Sequence, residues 1–256
     1  MRHGVSLREG TGPGEDVLAA LDRWAKQAGG YPDMLPIWHR VQVHTLDVPL
    51  LRCIKSRGVE PLVYATSTTR SPVVPYESYL AGEQDGKLDE LARAADAYGD
   101  RLIVRWDHEQ SMQWPPWGGR DPALYRNVFD YVADRLRQAG NVRMYWCGWG
   151  PTPTASLRYL PDSADFVGFD QYSRTAGWHT LRKEWAPIIG AIRKRTDKPI
   201  IVGEFGRLAG LPKRGRWLRS LRNVSDVWAA IYFDMLLISE GVDWRMTRWM
   251  RRQFAG

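Results

Sequence analysis

Short apolar runs alternate along this chain with longer segments whose apolar positions recur every three or four residues. The short runs, rich in β-branched and aromatic residues, predict strands over residues 4–7, 34–41, 61–66, 100–109, 141–146, 164–169, 199–204 and 227–233. The periodic segments predict helices. Residues 15–28 place Val17, Leu18, Leu21, Trp24, Ala25 and Ala28 on one face, and Gly29-Gly30 stops them. Further helices are expected over 48–57, 88–98, 185–195 and 245–254. Asp121-Pro122 is a strong helix start, with the aspartate as cap and the proline in the first turn, and that helix runs to Ala139 before Gly140. Residues 67–86 read as a mouth loop with turn-forming Pro72, Pro75 and Gly82.

Strand and helix in alternation predict an α/β fold with parallel strands, and about eight such units predict a single (β/α)8 TIM barrel over residues 1–256. The competing architecture is an open doubly wound sheet. That sheet would carry a glycine-rich phosphate loop after an early strand, and residues 8–14 (REGTGPG) are glycine-rich without that spacing.

With 44% hydrophobic and 25% charged residues, disorder is excluded. No apolar run is long enough to span a bilayer, so membrane insertion is not expected. The opening MRHGVSLREG has no apolar leader core, and secretion by removal of a leader or by another route is the expectation. Thirteen tryptophans exceed what a core needs and suggest a platform for flat ligands such as sugars. The formal charge is +7, with much of the excess in Lys213, Arg214, Arg216, Arg219 and Arg222 and in Arg245, Arg248, Arg251 and Arg252. No nucleic-acid motif accompanies this charge, so no nucleic-acid partner is expected. Cys53 and Cys147 lack metal spacing and read as two buried free thiols. A monomer without a metal is expected.

The chemistry concentrates in RLIVRWDHEQSMQWPPWG, residues 101–118. An apolar strand ends in Arg105, Asp107, His108 and Glu109, followed by Trp114 and Trp117. A second strand, in KPIIVGEFG, ends in Glu204 between Gly203 and Gly206. In a closed barrel, strand C-termini gather at one mouth, so the two glutamates can meet there. Glycoside hydrolysis uses such a pair, and separation of the carboxyls by roughly 5–5.5 Å favours a covalent intermediate and retention. Glu204, beside close-approaching backbone and in reach of a Tyr172 hydroxyl that could hold it as the anion, is assigned as nucleophile. Glu109, before an aromatic loop that excludes water and raises its pKa, is assigned as acid/base. Taken singly, each residue has a plain alternative: an ion-paired strand-end glutamate, a structural histidine, packing indoles, an Arg105–Asp107 pair.

The same residues carry a resemblance. His108-Glu109, with Arg105 four positions before the glutamate and Trp114 five after it, resembles the signature of family 26 glycoside hydrolases, best known for endo-β-1,4-mannanases. Trp117-Gly118, DFVGFDQY at residues 165–172, GEFG at 203–206, Phe233-Asp234 and residues 243–245 follow in register. The resemblance implies a (β/α)8 barrel, retaining hydrolysis without a cofactor, Glu109 as acid/base and Glu204 as nucleophile. It implies that Arg105, His108, Trp114, Asp170 and Tyr172 shape the subsite at the cleaved bond. Trp117 and Trp149, on the loops after the fourth and fifth strands, are further substrate-binding candidates. Ala65-Thr66-Ser67 stands where many mannanases of this family have a Trp-His pair, Tyr232 occupies the place of a tryptophan floor, and Gln110-Ser111-Met112 replaces a Met-Asn-Gly type loop. The substrate expected is a β-mannan or related β-glycan. Mixed-linkage β-glucan, β-1,3-xylan and a bacterial exopolysaccharide stay open, as do a non-catalytic glycan-binding barrel and a basic face that binds acidic polymers.

Overall fold

Eight parallel strands close into one barrel, in sequence order around the ring. The computed structural model describes residues 1–7, 16–68, 73–174, 177, 179–237 and 242–255, so residues 8–14 and Pro72 lie outside the described part. In chain order the elements are β1 (Arg2–Ser6), α1 (Val17–Ala28), β2 (Met34–Arg40), α2 (Val48–Ser56), β3 (Glu60–Thr66), α3 (Tyr76–Leu80), α4 (Asp85–Tyr98) and β4 (Leu102–Trp106). Then come α5 (Pro122–Leu136), β5 (Val142–Trp149), α6 (Pro153–Ser156), β6 (Phe166–Ser173), α7 (Leu181–Arg193) and β7 (Ile200–Arg207). The chain ends with α8 (Arg214–Arg219), β8 (Ala229–Phe233), a small hairpin of β9 (Leu236–Leu237) and β10 (Val242–Asp243), and α9 (Arg248–Ala255). β1 closes the ring, with Gly4 opposite Met34 on one side and Arg2–Ser6 opposite Ala229–Phe233 on the other.

The period-two pattern sorts side chains into two layers. Inward positions such as Met34, Leu62, Tyr64, Ile103, Tyr145, Ile201 and Ile231 fill the barrel. Their neighbours Leu35, Val63, Val104, Trp146, Val202 and Tyr232 face the helices. Among the described residues seven tryptophans (24, 106, 117, 146, 185, 217 and 244) are buried, so much of the indole excess is packing. The predicted cap at Asp121 is present, accepting from Ala123 N at 2.8 Å and Leu124 N at 2.9 Å. Asp16, expected inside the first helix, instead caps it and accepts from Leu18 N at 2.9 Å. Each such cap is worth about 1 kcal/mol. Gly29 ends α1 at φ +91°.

Three expectations are corrected. The fourth strand stops at Trp106 instead of running to residue 109, because Asp107 (φ 38°) and Glu109 (φ 55°) leave the extended region. The stretch 67–86 contains α3, whose Tyr76 and Tyr79 are buried. Cys53 is free but exposed; only Cys147 is a buried thiol.

The two ends of the barrel are built differently. Between Phe169↔Val202 and Asp170↔Glu204, β7 has one residue more than β6, so Gly203 is a bulge. A bulge reverses the alternation. Glu204 would share the outward face of Val202; the extra residue turns it into the mouth. At the opposite end of the barrel, His3 of β1 stacks on Phe254 of α9, ring centroids 5.0 Å apart. Among the described residues no helix is long and apolar enough to cross a membrane.

Candidate active site

A cleft of about 590 Å³ opens at the C-terminal ends of the strands. Its lining includes Glu109, Glu204, His108, Trp38, Trp114, Trp149 and Tyr172, joined by Met112, Arg174, Phe233, Leu237 and Trp244.

Arg105 organises the floor. It is 1% exposed and points inward from β4. Nη2 donates to Glu204 Oε1 at 2.6 Å, and Nη1 donates to both Asp170 oxygens at 3.2 and 3.1 Å. Its guanidinium carbon lies 3.4 Å from the centroid of the Tyr64 ring. The Tyr64 hydroxyl donates to the Gly203 carbonyl at 2.6 Å, pinning the bulge that aims Glu204. Gly203 is required here because a Cβ would come within 2.6 Å of Tyr145 Oη and 2.7 Å of Asp170 Oδ1. The glycine therefore makes room for the polar floor; the expected close approach to substrate is not its first role. Cys147 Sγ donates to Asp170 Oδ1 at 3.1 Å. Burial pushes the Asp170 carboxyl well above its usual pKa, with the Arg105 charge opposing it.

The Arg105–Asp107 pair considered from sequence does not form. Asp107 instead accepts from Ser67 N at 2.8 Å and Tyr76 Oη at 2.9 Å, and burial pushes its pKa up to about 7. It holds the turn that presents His108 and Glu109. Positive φ at Asp107 and Glu109, the non-glycine positions on either side of His108, is backbone strain, which concentrates at functional sites.

The two glutamates sit in unequal surroundings. Glu204 accepts from Arg105 and from the Tyr172 hydroxyl. Desolvation and then the Glu204 charge raise the Tyr172 pKa well above normal, so the phenol remains a donor. Glu109 is buried, and Trp114 Nε1 donates to its Oε2 at 2.8 Å. Desolvation raises the Glu109 pKa to about 7, with the Glu204 charge adding to the rise and the Trp114 bond opposing it. Burial, then the Arg105 charge, lowers His108 well below 6.5, so its ring is neutral. The ring is boxed by Trp38, Trp114 and Trp117 at centroid distances of 5.5, 5.9 and 5.2 Å.

The remaining sequence candidates divide. Trp149 and Tyr172 line the cleft with rings 6.4 Å apart. Trp117 is 6% exposed and lies behind the wall, its Nε1 bonded to the His108 carbonyl at 2.7 Å. Tyr232 is not at the mouth at all. It faces the helices, packed on Phe205 and Phe254, with its hydroxyl on the Trp244 carbonyl at 3.1 Å. Phe233, one position on, faces the cleft. Tyr64, Trp38, Trp244 and Arg174 escaped the sequence reading. Trp38 had a legible signal, since it shares the inward parity of Met34 on β2.

One ligand atom each from His108, Asp170 and Glu204 lie within 4.8 Å of one another, a spacing that could hold a metal ion. Arg105 already bridges both carboxylates, so a fixed organic cation occupies the role a divalent ion would take there.

A barrel with this arrangement has structural counterparts. An endo-β-1,4-mannanase from Cellulomonas fimi superposes with a TM-score of 0.76, at 15% identity, over 100% of this chain and 70% of that one. A family 26 mannanase catalytic domain from Bacillus sp. JAMB-750 gives 0.73 at 15% identity, covering 99% and 84%. The fold is that of the family 26 glycoside hydrolases. A β-mannanase from a symbiotic protist of the termite Reticulitermes speratus gives 0.72 at 14% identity, covering 99% and 86%. Among curated proteins, Endoglucanase H of Acetivibrio thermocellus is 23% identical over 188 residues. That stretch is 64% of this chain, and the chain spans about a fifth (21%) of the relative's length. No family model matches the chain.

Proposed function

We propose that this chain is a retaining, endo-acting hydrolase of a β-linked polysaccharide, with Glu204 as nucleophile and Glu109 as acid/base. One observation carries the reading. Two carboxylates share an aromatic cleft, one desolvated toward a neutral-range pKa and the other oriented by an arginine and a tyrosine. Such inequality is what assigns an acid and a nucleophile.

A Glu204 oxygen attacks the anomeric carbon as the glycosidic C–O bond breaks. Glu109 gives its proton to the departing oxygen. A water then returns a proton to Glu109, attacks the same carbon and releases Glu204. Arg105 and Tyr172 hold Glu204 in line, and Trp114 fixes the Glu109 carboxyl. Backbone strain at Glu109 is tolerated because Asp107 anchors the turn.

The solved structures of like fold are named as mannanases and the curated relative as an endoglucanase, which supports a β-1,4-linked glycan, with β-mannan first. The missing Trp-His pair of the third strand is partly offset by Trp38, half exposed on the neighbouring β2. A polymer substrate places the action outside the cell.

The test is reducing-end release from mannans, mixed-linkage glucan, β-1,3-xylan and bacterial exopolysaccharides. Glu204→Gln should lower the rate by about 10⁴-fold or more with an unchanged circular dichroism spectrum. Proton NMR of the first product should give the β-anomer. Full activity in Glu204→Gln, or an inverted product, overturns the mechanism. Binding without release of ends from any polymer would leave a glycan-binding barrel.

A further inference from the structure

The charge of this chain is unevenly placed. Residues 205–225 carry six basic side chains and residues 244–256 carry four, and neither stretch holds an acidic one. The formal total is only +7, so the rest of the chain is net negative. The two acid-free stretches meet in space. Trp249 of α9 lies over Gly215 of α8, where a Cβ would come 2.0 Å from the indole. Arg219 covers the same indole, its guanidinium carbon 5.1 Å from the ring centroid. Arg214 Nη2 donates to the carbonyls of Trp244 at 3.1 Å and Arg245 at 2.8 Å. Arg207 is buried, and Arg245 and Arg251 pair with Asp243 and Asp234, so the cationic surface is made by the other basic side chains of the two stretches. Trp244 also walls the cleft, so this surface runs up to one end of it.

A guanidinium stands inside the cleft at that end. Arg174 follows β6, is exposed and lines the cleft. Its guanidinium carbon sits 5.3 Å from the Trp244 ring centroid. Trp244 is 1% exposed, too buried to be a sugar platform, and serves as a shelf that fixes the arginine. Trp244 in turn packs on Tyr172 at 4.8 Å, and Tyr172 donates to Glu204. Arg105 is consumed by Asp170 and Glu204; Arg174 has no carboxylate partner among the described residues. A held guanidinium fork facing a substrate channel matches a carboxylate in two-point geometry.

We propose that the cleft takes an acidic β-linked polysaccharide in preference to a plain mannan, and that Arg174 binds the carboxylate of a sugar residue on the Tyr172 side of the cleaved bond. The proposal rests on the glycosidase reading of the site and names the substrate class of that same site. The basic surface of α8 and α9 concentrates the polyanion next to the cleft and makes capture sensitive to salt.

The experiment compares polymers with one backbone and different charge: carboxymethyl against hydroxyethyl cellulose, and carboxymethyl mannan against unmodified mannan. Initial rates give kcat/KM for the wild type, Arg174→Gln and Arg174→Lys at low salt and at about 0.3 M NaCl, where the screening length is only several ångströms. The expected result is about a tenfold preference for the carboxylated polymer at low salt, shrinking at high salt. Arg174→Gln should erase most of that preference, and Arg174→Lys should keep part of it. Equal or better turnover of the neutral polymers by the wild type, or an equal effect of Arg174→Gln on both, overturns the proposal. If none of these polymers is cleaved, the full polysaccharide panel decides the glycosidase reading, and mobility in gels containing each polymer decides the charge question. Retardation by the carboxylated polymer that falls in Arg174→Gln supports the proposal; retardation unchanged by that substitution overturns it.

Discussion

Arg105 donates to Glu204 at 2.6 Å while the same guanidinium grips Asp170, so one buried fork fixes both the nucleophile candidate and the carboxylate beside it. Lysine cannot make both contacts from one point charge. Arg105→Lys should lower kcat by about 10²-fold or more, read by reducing-end release. Arg105→Leu strands two buried carboxylates and should cost about 3–5 kcal/mol, read by urea denaturation.

With Glu109 as the proposed acid, activity should fall as pH rises through about 7, where its carboxyl loses the proton. Trp114 Nε1–H favours the ionised form of Glu109, so Trp114→Phe should move that alkaline limb upward. A full pH profile of kcat/KM on both proteins checks the direction.

Burial makes ionised Glu109 a burden on the fold. Its folded pKa, about 7, lies above the usual 4.5, so the folded state takes up the proton first. The penalty is absent below pH 4.5, grows as pH climbs from there, and is complete above about 7. Glu109→Gln should therefore stabilise the protein by on the order of 2 kcal/mol at alkaline pH and very little in acid. Melting temperatures at the two extremes test it; a pH-independent difference would contradict it.

Gly203→Ala forces a methyl against Tyr145, Asp170 and Arg105. Overpacking of this kind costs about 1–3 kcal/mol. Since the bulge aims Glu204, kcat should fall more than KM changes. Steady-state kinetics together with a melting curve separate the two effects.

The barrel was legible because its strands are apolar on both faces and so read as short continuous runs between helical segments. Leu35, Ile37, Val63 and Val104 face the helices while their neighbours face in, and a stretch-by-stretch reading finds such strands. Both glutamates and Arg105 were picked out for a related reason, as charges closing apolar runs, and the structure brings the three together. Tyr232 was misplaced by one residue on β8, a slip that exchanges the cleft for the helix layer. The Gly203 bulge left no trace beyond a glycine, and only pairing with β6 reveals that Glu204 has been turned. Trp244 and Arg174 lie beyond the ends of strands, where periodicity has nothing to say.

The His3–Phe254 stack fastens the first strand to the last helix on the side of the barrel away from the cleft. A polypeptide fused at either of those positions would leave from one shared corner, behind the reaction chamber. Segments appended there could then be exchanged with the mouth of the barrel left clear.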